Sequence, residues 1–292
     1  LETLWKNVLV TDQYEPGSTF KTITSAIAIE EKKVDDNSTF YCNGYRNIAG
    51  TIIHCANRSG HGSEDFQRAL CNSCNPAFMD IGALIGGDTF YDYVTGFGLR
   101  ERTGIDLPGE VRRSEYYTAD RMGPVELASC SFGQSSKVSY LQMLTAVCAV
   151  VNGGELMQPY VVAKITAPDG TIIKEMAPTV KRRVISEETS ATMRRLMEGV
   201  VTGGTGKQAA LEGYRVGGKS GTSQKLDSAN EGARIASFVS VAPIDDPKIA
   251  VLICLDEPHS WTTSGGALSG PVCAEVLRKA LPYLGVEPES GG

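Results

Sequence analysis

Apolar residues recur at helical spacing in the first third of this chain and crowd into short strand-like runs in its last third. Behind the chain-breaking pair Pro16-Gly17, Phe20, Ile23, Ala26 and Ile27 fall on one helical stripe, so the pattern predicts a helix starting at Ser18. Phe66, Ala69 and Leu70 repeat that spacing, and Gly62-Ser63-Glu64-Asp65 reads as the opening of their helix. This helix is expected to stop near Asn75-Pro76, because proline disfavours helical geometry in the residue before it. A second helix is predicted from Pro76 through Phe78, Met79, Ile81 and Leu84 to a stop at Gly86-Gly87. Residues 214–222 hold few helix formers and three glycines, which predicts a strand that another backbone approaches closely. Strands follow at 235–241 and 249–255 around a turn at 243–247, and an amphipathic helix with proline in its first turn is predicted over 271–284. Helix, helical insertion, strands and closing helix make an α/β sandwich in which Ser18 can meet the strand at 215–222.

Composition narrows the class but not the chemistry. With 292 residues, 41% of them apolar, the chain can bury a full core as one large domain or two closely packed lobes. No repeat, low-complexity segment or Pro/Ser-rich linker separates parts of it, so one compact unit is the simpler reading. A net charge of −6 with no basic stripe argues against nucleic acid as a partner. No run of about 18 apolar residues is present to span a membrane. Residues 1–10 lack the basic start and apolar run of a signal peptide. A chain that begins Leu-Glu and ends Ser-Gly-Gly is expected to be trimmed from a longer protein, from which an anchor could have been removed.

Three short strings carry the candidate chemistry: Ser18-Thr19-Phe20-Lys21, Ser73-Cys74-Asn75 and Lys219-Ser220-Gly221-Thr222. Ser18 and Lys21 are three apart, so one helical turn stacks them on one face. A lysine buried there loses solvation, its pKa falls, and it can take the serine proton near neutral pH. Ser73 and Asn75, two apart at a helix junction, can face one cleft while Cys74 points away. Lys219 to Thr222 offer a cationic, glycine-containing strand to hold a carboxylate. Taken singly, Ser18 reads as an N-cap before a surface lysine, and Ser73 and Asn75 read as capping residues. The ordered triple is far more specific than any one string.

On these residues the chain resembles the transpeptidase domain of class B, high-molecular-weight penicillin-binding proteins. The likeness extends to Tyr14-Glu15-Pro16-Gly17 before the nucleophile and to Gly60-His61-Gly62. It also takes in TGIDLPGE at 103–110, Ser131-Phe132-Gly133-Gln134, the helix end at Asn152-Gly153-Gly154, and Ala236-Ser237-Phe238 with Ala242-Pro243. The subtype is most similar to sporulation and elongation enzymes of Gram-positive bacteria. The resemblance implies an α/β (α+β) fold of the serine β-lactamase and penicillin-binding transpeptidase type, with a central antiparallel sheet flanked by helices. The domain would span residues 1–292, with a helical lobe at about 34–150 and a sheet lobe at about 155–292 joined by the helix from residue 18. It further implies Ser18 as nucleophile, Lys21 as base, Ser73 as proton relay and Asn75 as holder of the substrate amide. Lys219 would set the local potential, Ser220 and Thr222 would bind the terminal carboxylate beside Gly221, and the backbone N–H groups of Ser18 and Thr222 would form the oxyanion hole. Peptidoglycan stem peptides and β-lactams are the implied ligands, and a membrane glycosyltransferase the implied partner through regions beyond this sequence. The setting would be the extracytoplasmic face of the bacterial membrane, behind an N-terminal anchor. No cofactor is implied for the chemistry. Too few residues precede Ser18 for the two long strands that open the family's sheet, so that sheet is expected to be incomplete. Other functions share the triple: a D,D-carboxypeptidase, a non-enzymatic β-lactam sensor, or a β-lactamase. The 201 positions from Ser18 to Lys219 exceed the usual β-lactamase spacing.

Eight cysteines raise a separate question. Cys130, Cys148, Cys254 and Cys273 lie in apolar or small-residue contexts and read as core. Cys42, Cys55, Cys71 and Cys74 share a short polar stretch with His54 and His61. Cys71-x-x-Cys74 is chelate spacing, and Cys42 and Cys55 bracket a hairpin in the manner of zinc-knuckle ligands. Structural zinc, disulfide pairing and free thiols all remain open. The zinc reading takes Cys42, Cys55 and Cys74, with Cys71 or His61 as the fourth ligand.

Overall fold

The computed structural model describes residues 6–112, 115–225, 228–230 and 232–289. Helix α1 (Lys21–Glu30) runs through its middle, with every residue from Lys21 to Ala28 buried. Enclosure on all sides explains why polar Thr22 and Thr24 occur beside Ile23 and Ile27. Thr22 donates to the Thr19 carbonyl at 2.8 Å and Thr24 to the Ser131 carbonyl at 2.7 Å, so neither hydroxyl is left unpaired. The helix predicted to begin at Ser18 begins instead with a 3₁₀ turn, Gly17–Phe20, which leads into α1. Ser18 therefore sits in that turn rather than capping an α-helix.

The next segment departs from the sequence pattern. Strands β1 (Thr39–Cys42), β2 (Tyr45–Ile48), β3 (Thr51–His54) and β4 (Gly62–Asp65) form two antiparallel pairs, β1 with β4 and β2 with β3. Gly62-Ser63-Glu64-Asp65 is thus a strand, registered Phe40 to Glu64 and Cys42 to Gly62, and not the opening of a helix. Helix α2 (Phe66–Cys71) starts after it, with Asp65 as N-cap accepting from the Arg68 N–H at 2.7 Å. Helix α3 (Asn75–Ile85) follows and stops at Gly86, as the pattern predicts.

The break between α2 and α3 is a Schellman cap. Cys74 N–H reaches the Ala69 carbonyl at 2.9 Å and Ser73 N–H the Leu70 carbonyl at 3.2 Å. That motif needs a left-handed residue, usually glycine, and here the position is Ser73 at φ +55°. A hydroxyl stands where the backbone would favour no side chain at all.

Helices α4 (Gly87–Gly96), α5 (Pro124–Cys130), α6 (Tyr140–Val151) and α7 (Glu187–Gly203) complete the helical part. Between α6 and α7, Glu155–Gln158 pairs with Thr179–Arg183 and Lys164–Thr166 pairs with Ile172–Glu175. The central sheet is antiparallel, ordered β5 (Gly217–Gln224), β6 (Arg234–Ala242), β7 (Ile249–Asp256). Its alternation feeds two cores: Phe238 and Val251 pack with Cys273, Leu277 and Leu281 of the last helix, while Val239 and Val241 join the large core around α1, α3 and α6. Among the described residues the sheet has three strands, and Gln13–Tyr14 pairs with Val138–Ser139 instead of extending it.

The last helix, α8 (Gly265–Tyr283), starts six residues before the predicted Pro271. Its first turns are rich in glycine because the backbone passes close to the sheet: a Cβ on Gly265 would lie 2.0 Å from the Ser237 carbonyl oxygen and 2.1 Å from that of Gly221. Pro271 lies inside the helix and cannot donate to the Ala267 carbonyl; with its amide nitrogen turned toward the helix, Gln208 donates there at 3.0 Å.

Candidate active site

Ser18, Ser73, Asn75, Ser220, Gly221 and Thr222 line one cleft of about 360 Å³, with Lys21 and Lys219 fully buried against it. The 3₁₀ turn presents Ser18, the Schellman cap presents Ser73, and β5 presents the residues from Ser220 to Thr222. Gly17 makes the approach between turn and strand feasible, since a Cβ there would lie 3.1 Å from Ser223 Cβ.

Two amines converge on one hydroxyl. Lys21 Nζ lies 3.2 Å from Ser73 Oγ and donates at 2.7 Å to both the Ser73 carbonyl and Asn75 Oδ1. Lys219 Nζ lies 3.0 Å from Ser73 Oγ and 2.9 Å from the Ser220 carbonyl. With both its lone pairs facing amines, the Ser73 hydroxyl has its hydrogen free to point elsewhere. Burial pulls Lys21 down to about 7, against the opposing charge of Cys74, Cys55 and Glu64. Burial also holds Lys219 well below the usual lysine range, and the Lys21 charge pushes the same way. The Lys21 ammonium further faces the Phe78 ring at 5.3 Å and the Phe132 ring at 6.0 Å.

Several cleft residues carry no sequence signal of their own. Thr205, in the turn after α7, shares a 2.8 Å hydrogen bond with Ser220 and donates its N–H to the Cys71 carbonyl. Thr262, Thr263 and Ser264 form the far wall, where Thr222 Oγ1 donates to the Thr263 carbonyl at 3.3 Å. The glycine-rich run around Thr205 marks a close turn, but nothing in it announces the cleft.

Behind the Ser73 loop, Cys42, Cys55, His61 and Cys74 bring their ligand atoms within 4.8 Å of one another. Cys55 Sγ is 3.7 Å from His61 Nδ1. Tetrahedral zinc, with bonds of about 2.3 Å to sulfur and 2.0–2.1 Å to nitrogen, sets those atoms about 3.6 Å apart. Three thiols and one imidazole would hold such an ion once the wider pairs close by up to about an ångström. The hydrogen bond between Cys55 and Cys74 pulls the Cys55 thiol down to about 5 and pushes Cys74 up. Cys71 is not in this group, despite its chelate spacing to Cys74. It closes α2 before the left-handed turn at Ser73, and its thiol accepts from Gln67 Nε2 at 3.2 Å. His61 takes the fourth place. All eight cysteines are unpaired thiols; Cys130 and Cys273 are buried as expected, whereas Cys148 and Cys254 are half-buried.

The sheet flanked by helices, with a serine, two buried lysines and a second serine in one cleft, defines the class of penicillin-recognising proteins. Residues 2–278 match the family described as penicillin binding protein transpeptidase domain, and the chain belongs to it. It is 42% identical to stage V sporulation protein D of Bacillus subtilis over 287 residues, covering 97% of this chain and 44% of that protein. The probable peptidoglycan D,D-transpeptidase PenA of Neisseria flavescens is 30% identical, with 97% of this chain and 68% of that one covered. Among solved structures, the transpeptidase domain of penicillin-binding protein 3 from Burkholderia pseudomallei superposes with a TM-score of 0.86 at 31% identity, covering 98% of this chain and 84% of that one. Penicillin-binding protein 3 from Mycobacterium tuberculosis complexed with ampicillin gives 0.88 at 26% identity, covering 98% and 65%. The chain thus spans less than half the length of the Bacillus relative. No helix among the described residues is long and apolar enough to cross a membrane.

Proposed function

We propose that this domain is a serine D,D-transpeptidase that crosslinks peptidoglycan stem peptides. The observation that carries the reading is the convergence of Lys21 and Lys219 on Ser73 Oγ, in a cleft shared with Ser18. Ser18 Oγ attacks the carbonyl of the penultimate D-alanine while Lys21, as free amine, takes the hydroxyl proton. The C–N bond then breaks, and Ser73 passes its hydrogen to the departing D-alanine nitrogen and is resupplied from the lysine pair. Asn75 holds the substrate amide, and Ser220 and Thr222, under the Lys219 charge, hold the terminal carboxylate. The N–H groups of Ser18 and Thr222 stabilise the tetrahedral oxyanion. An amine of a second stem peptide attacks the ester, forming the crosslink and freeing Ser18. β-Lactams acylate Ser18 by the same first step.

In the whole protein the domain acts outside the cytoplasmic membrane, tethered by an anchor and working beside a glycosyltransferase that supplies glycan strands. Likeness to a stage V sporulation protein favours a role in spore wall synthesis. Cys42, Cys55, His61 and Cys74 hold a structural zinc ion that stabilises the loop bearing Ser73. The ion takes no part in acyl transfer.

Intact-mass analysis with a penicillin tests the first step: a single stable adduct is expected, absent in Ser18→Ala. Incubation with a D-Ala-D-Ala donor and a D-amino acid acceptor tests the second, with exchange into the donor expected. Hydrolysed donor alone would make the domain a carboxypeptidase, and rapid loss of the penicillin adduct a β-lactamase. For the metal, elemental analysis should find one zinc per chain and a chelator should lower the melting temperature. Protein free of metal and indifferent to chelation would overturn that part.

A further inference from the structure

Strand β4 turns a carboxylate inward where its alternation calls for an apolar side chain. Glu64 is 3% exposed and registers opposite Phe40, on the face of the β1–β4 pair that also carries Cys42. Its two oxygens serve different neighbours. Oε2 accepts from Asn72 Nδ2 at 2.5 Å, and Asn72 adjoins Ser73 and lines the cleft. Oε1 is buried and meets no N–H or O–H at hydrogen-bond distance; beside it lie the His61 ring, with Nδ1 at 3.6 Å, and the Cys74 thiol.

A buried carboxylate oxygen without a firm donor is strongly unfavourable, so such an arrangement calls for a partner. Metal ligation supplies one. Binding deprotonates Cys74, which removes the thiol as a donor, and fixes His61 as a neutral imidazole whose metal-free nitrogen carries N–H. Metal-bound histidines characteristically give that N–H to a carboxylate or carbonyl, which fixes the ring's orientation. Glu64 is the buried carboxylate beside this ring, and its Oε1 faces Nδ1, so the role requires His61 to bind the ion through Nε2 and keep its proton on Nδ1.

On the reading of Cys42, Cys55, His61 and Cys74 as a metal site, we infer that Glu64 is a positioning residue joining that site to the catalytic loop. One oxygen orients His61, and the other clamps Asn72 next to Ser73. The clamp matters because Ser73 holds a left-handed backbone, φ +55°, that favours glycine and must be kept in place by its surroundings. Metal occupancy and the geometry of Ser73 are thereby tied through one side chain.

The test uses Zn²⁺ itself and four proteins: wild type, Glu64→Gln, Glu64→Ala and Asn72→Ala. Competition with a chromogenic chelator reads zinc affinity, and stopped-flow labelling by a fluorescent penicillin at saturating zinc reads the limiting acylation rate and the half-saturating concentration. Both Glu64 variants should bind zinc roughly 10- to 100-fold more weakly. Glu64→Ala and Asn72→Ala should lower the limiting rate more than they shift the half-saturating concentration, while Asn72→Ala keeps wild-type zinc affinity. Asn72→Ala leaves the buried strand intact, so the loop arm stays readable even where Glu64→Ala fails to fold, and isosteric Glu64→Gln does the same for the metal arm. Wild-type zinc affinity in the Glu64 variants overturns the inference, as does a wild-type limiting rate in zinc-loaded Glu64→Ala and Asn72→Ala. A wild type that binds no zinc removes the metal reading and this inference together, a result visible before any substitution is made.

Discussion

Acylation of Ser18 is predicted to switch on as pH rises through about 7, because Lys21 must be a free amine to accept the serine proton. An ordinary lysine, at 10.5, would be deprotonated in roughly one molecule in 3,000 at pH 7; Lys21, held at about 7, is deprotonated in about half. Burial thus multiplies the active form roughly a thousandfold at neutral pH. Below about pH 7 the second-order rate constant for a fluorescent penicillin should fall about tenfold per pH unit, and above it the rate should level off. Lys21→Arg, which keeps the charge but cannot lose the proton, should cut the rate by about 10²- to 10⁴-fold at every pH. Stability carries the opposite sign of burden. Between about pH 7 and 10.5 the unfolded chain binds a proton that folded Lys21 has released, so stability should rise with pH across that window. A pH–rate profile flat from about pH 6 to 8, or one whose midpoint lies near that of a free lysine, would refute this account of the base.

Two other perturbations follow from backbone geometry. Ser73→Gly should be more stable than Ser73→Ala by roughly 1 kcal/mol, because glycine relaxes the left-handed cap at φ +55°. Both variants should lose most acyl transfer, and equal denaturation midpoints would show that the cap is not strained. Gly265→Ala should destabilise by at least the ~1–3 kcal/mol of ordinary overpacking, since its Cβ would meet the Ser237 and Gly221 carbonyl oxygens at 2.0 and 2.1 Å. Penicillin labelling should fall with it because Gly221 belongs to the carboxylate strand, and a wild-type urea midpoint would contradict the close approach.

What the sequence revealed was what chemistry fixes at short range. Ser18 and Lys21, or Lys219 and Thr222, must lie within one turn or one strand of each other, so their spacing survives in the linear order. Strands β6 and β7 were legible as nearly continuous apolar runs, and β5 from its glycines and scarcity of helix formers. Gly62–Asp65 was not, because Ser63, Glu64 and Asp65 are good helix-opening residues and their strand identity comes from pairing with residues 39–42, some twenty positions away. The start of α8 was hidden by glycines chosen for proximity to β5 and β6, which in a linear reading look like a loop. Cys71 lies outside the cluster despite its chelate spacing to Cys74, because it ends α2 while Cys74 follows the left-handed turn at Ser73.

Lys21 and Lys219 share a hydroxyl, and no carboxylate among the described residues makes a hydrogen bond to either amine. The Lys21 charge pushes Lys219 further below the usual lysine range. An anion entering the cleft therefore meets two amines that no described side-chain carboxylate holds by a hydrogen bond, and it favours their charged forms. Substrate and antibiotic both bring a carboxylate, so both act as counterions that firm up the fold as they bind. A substitution that gave either amine a built-in carboxylate partner would compete with the ligand for the same cation, which bars one easy route to greater robustness.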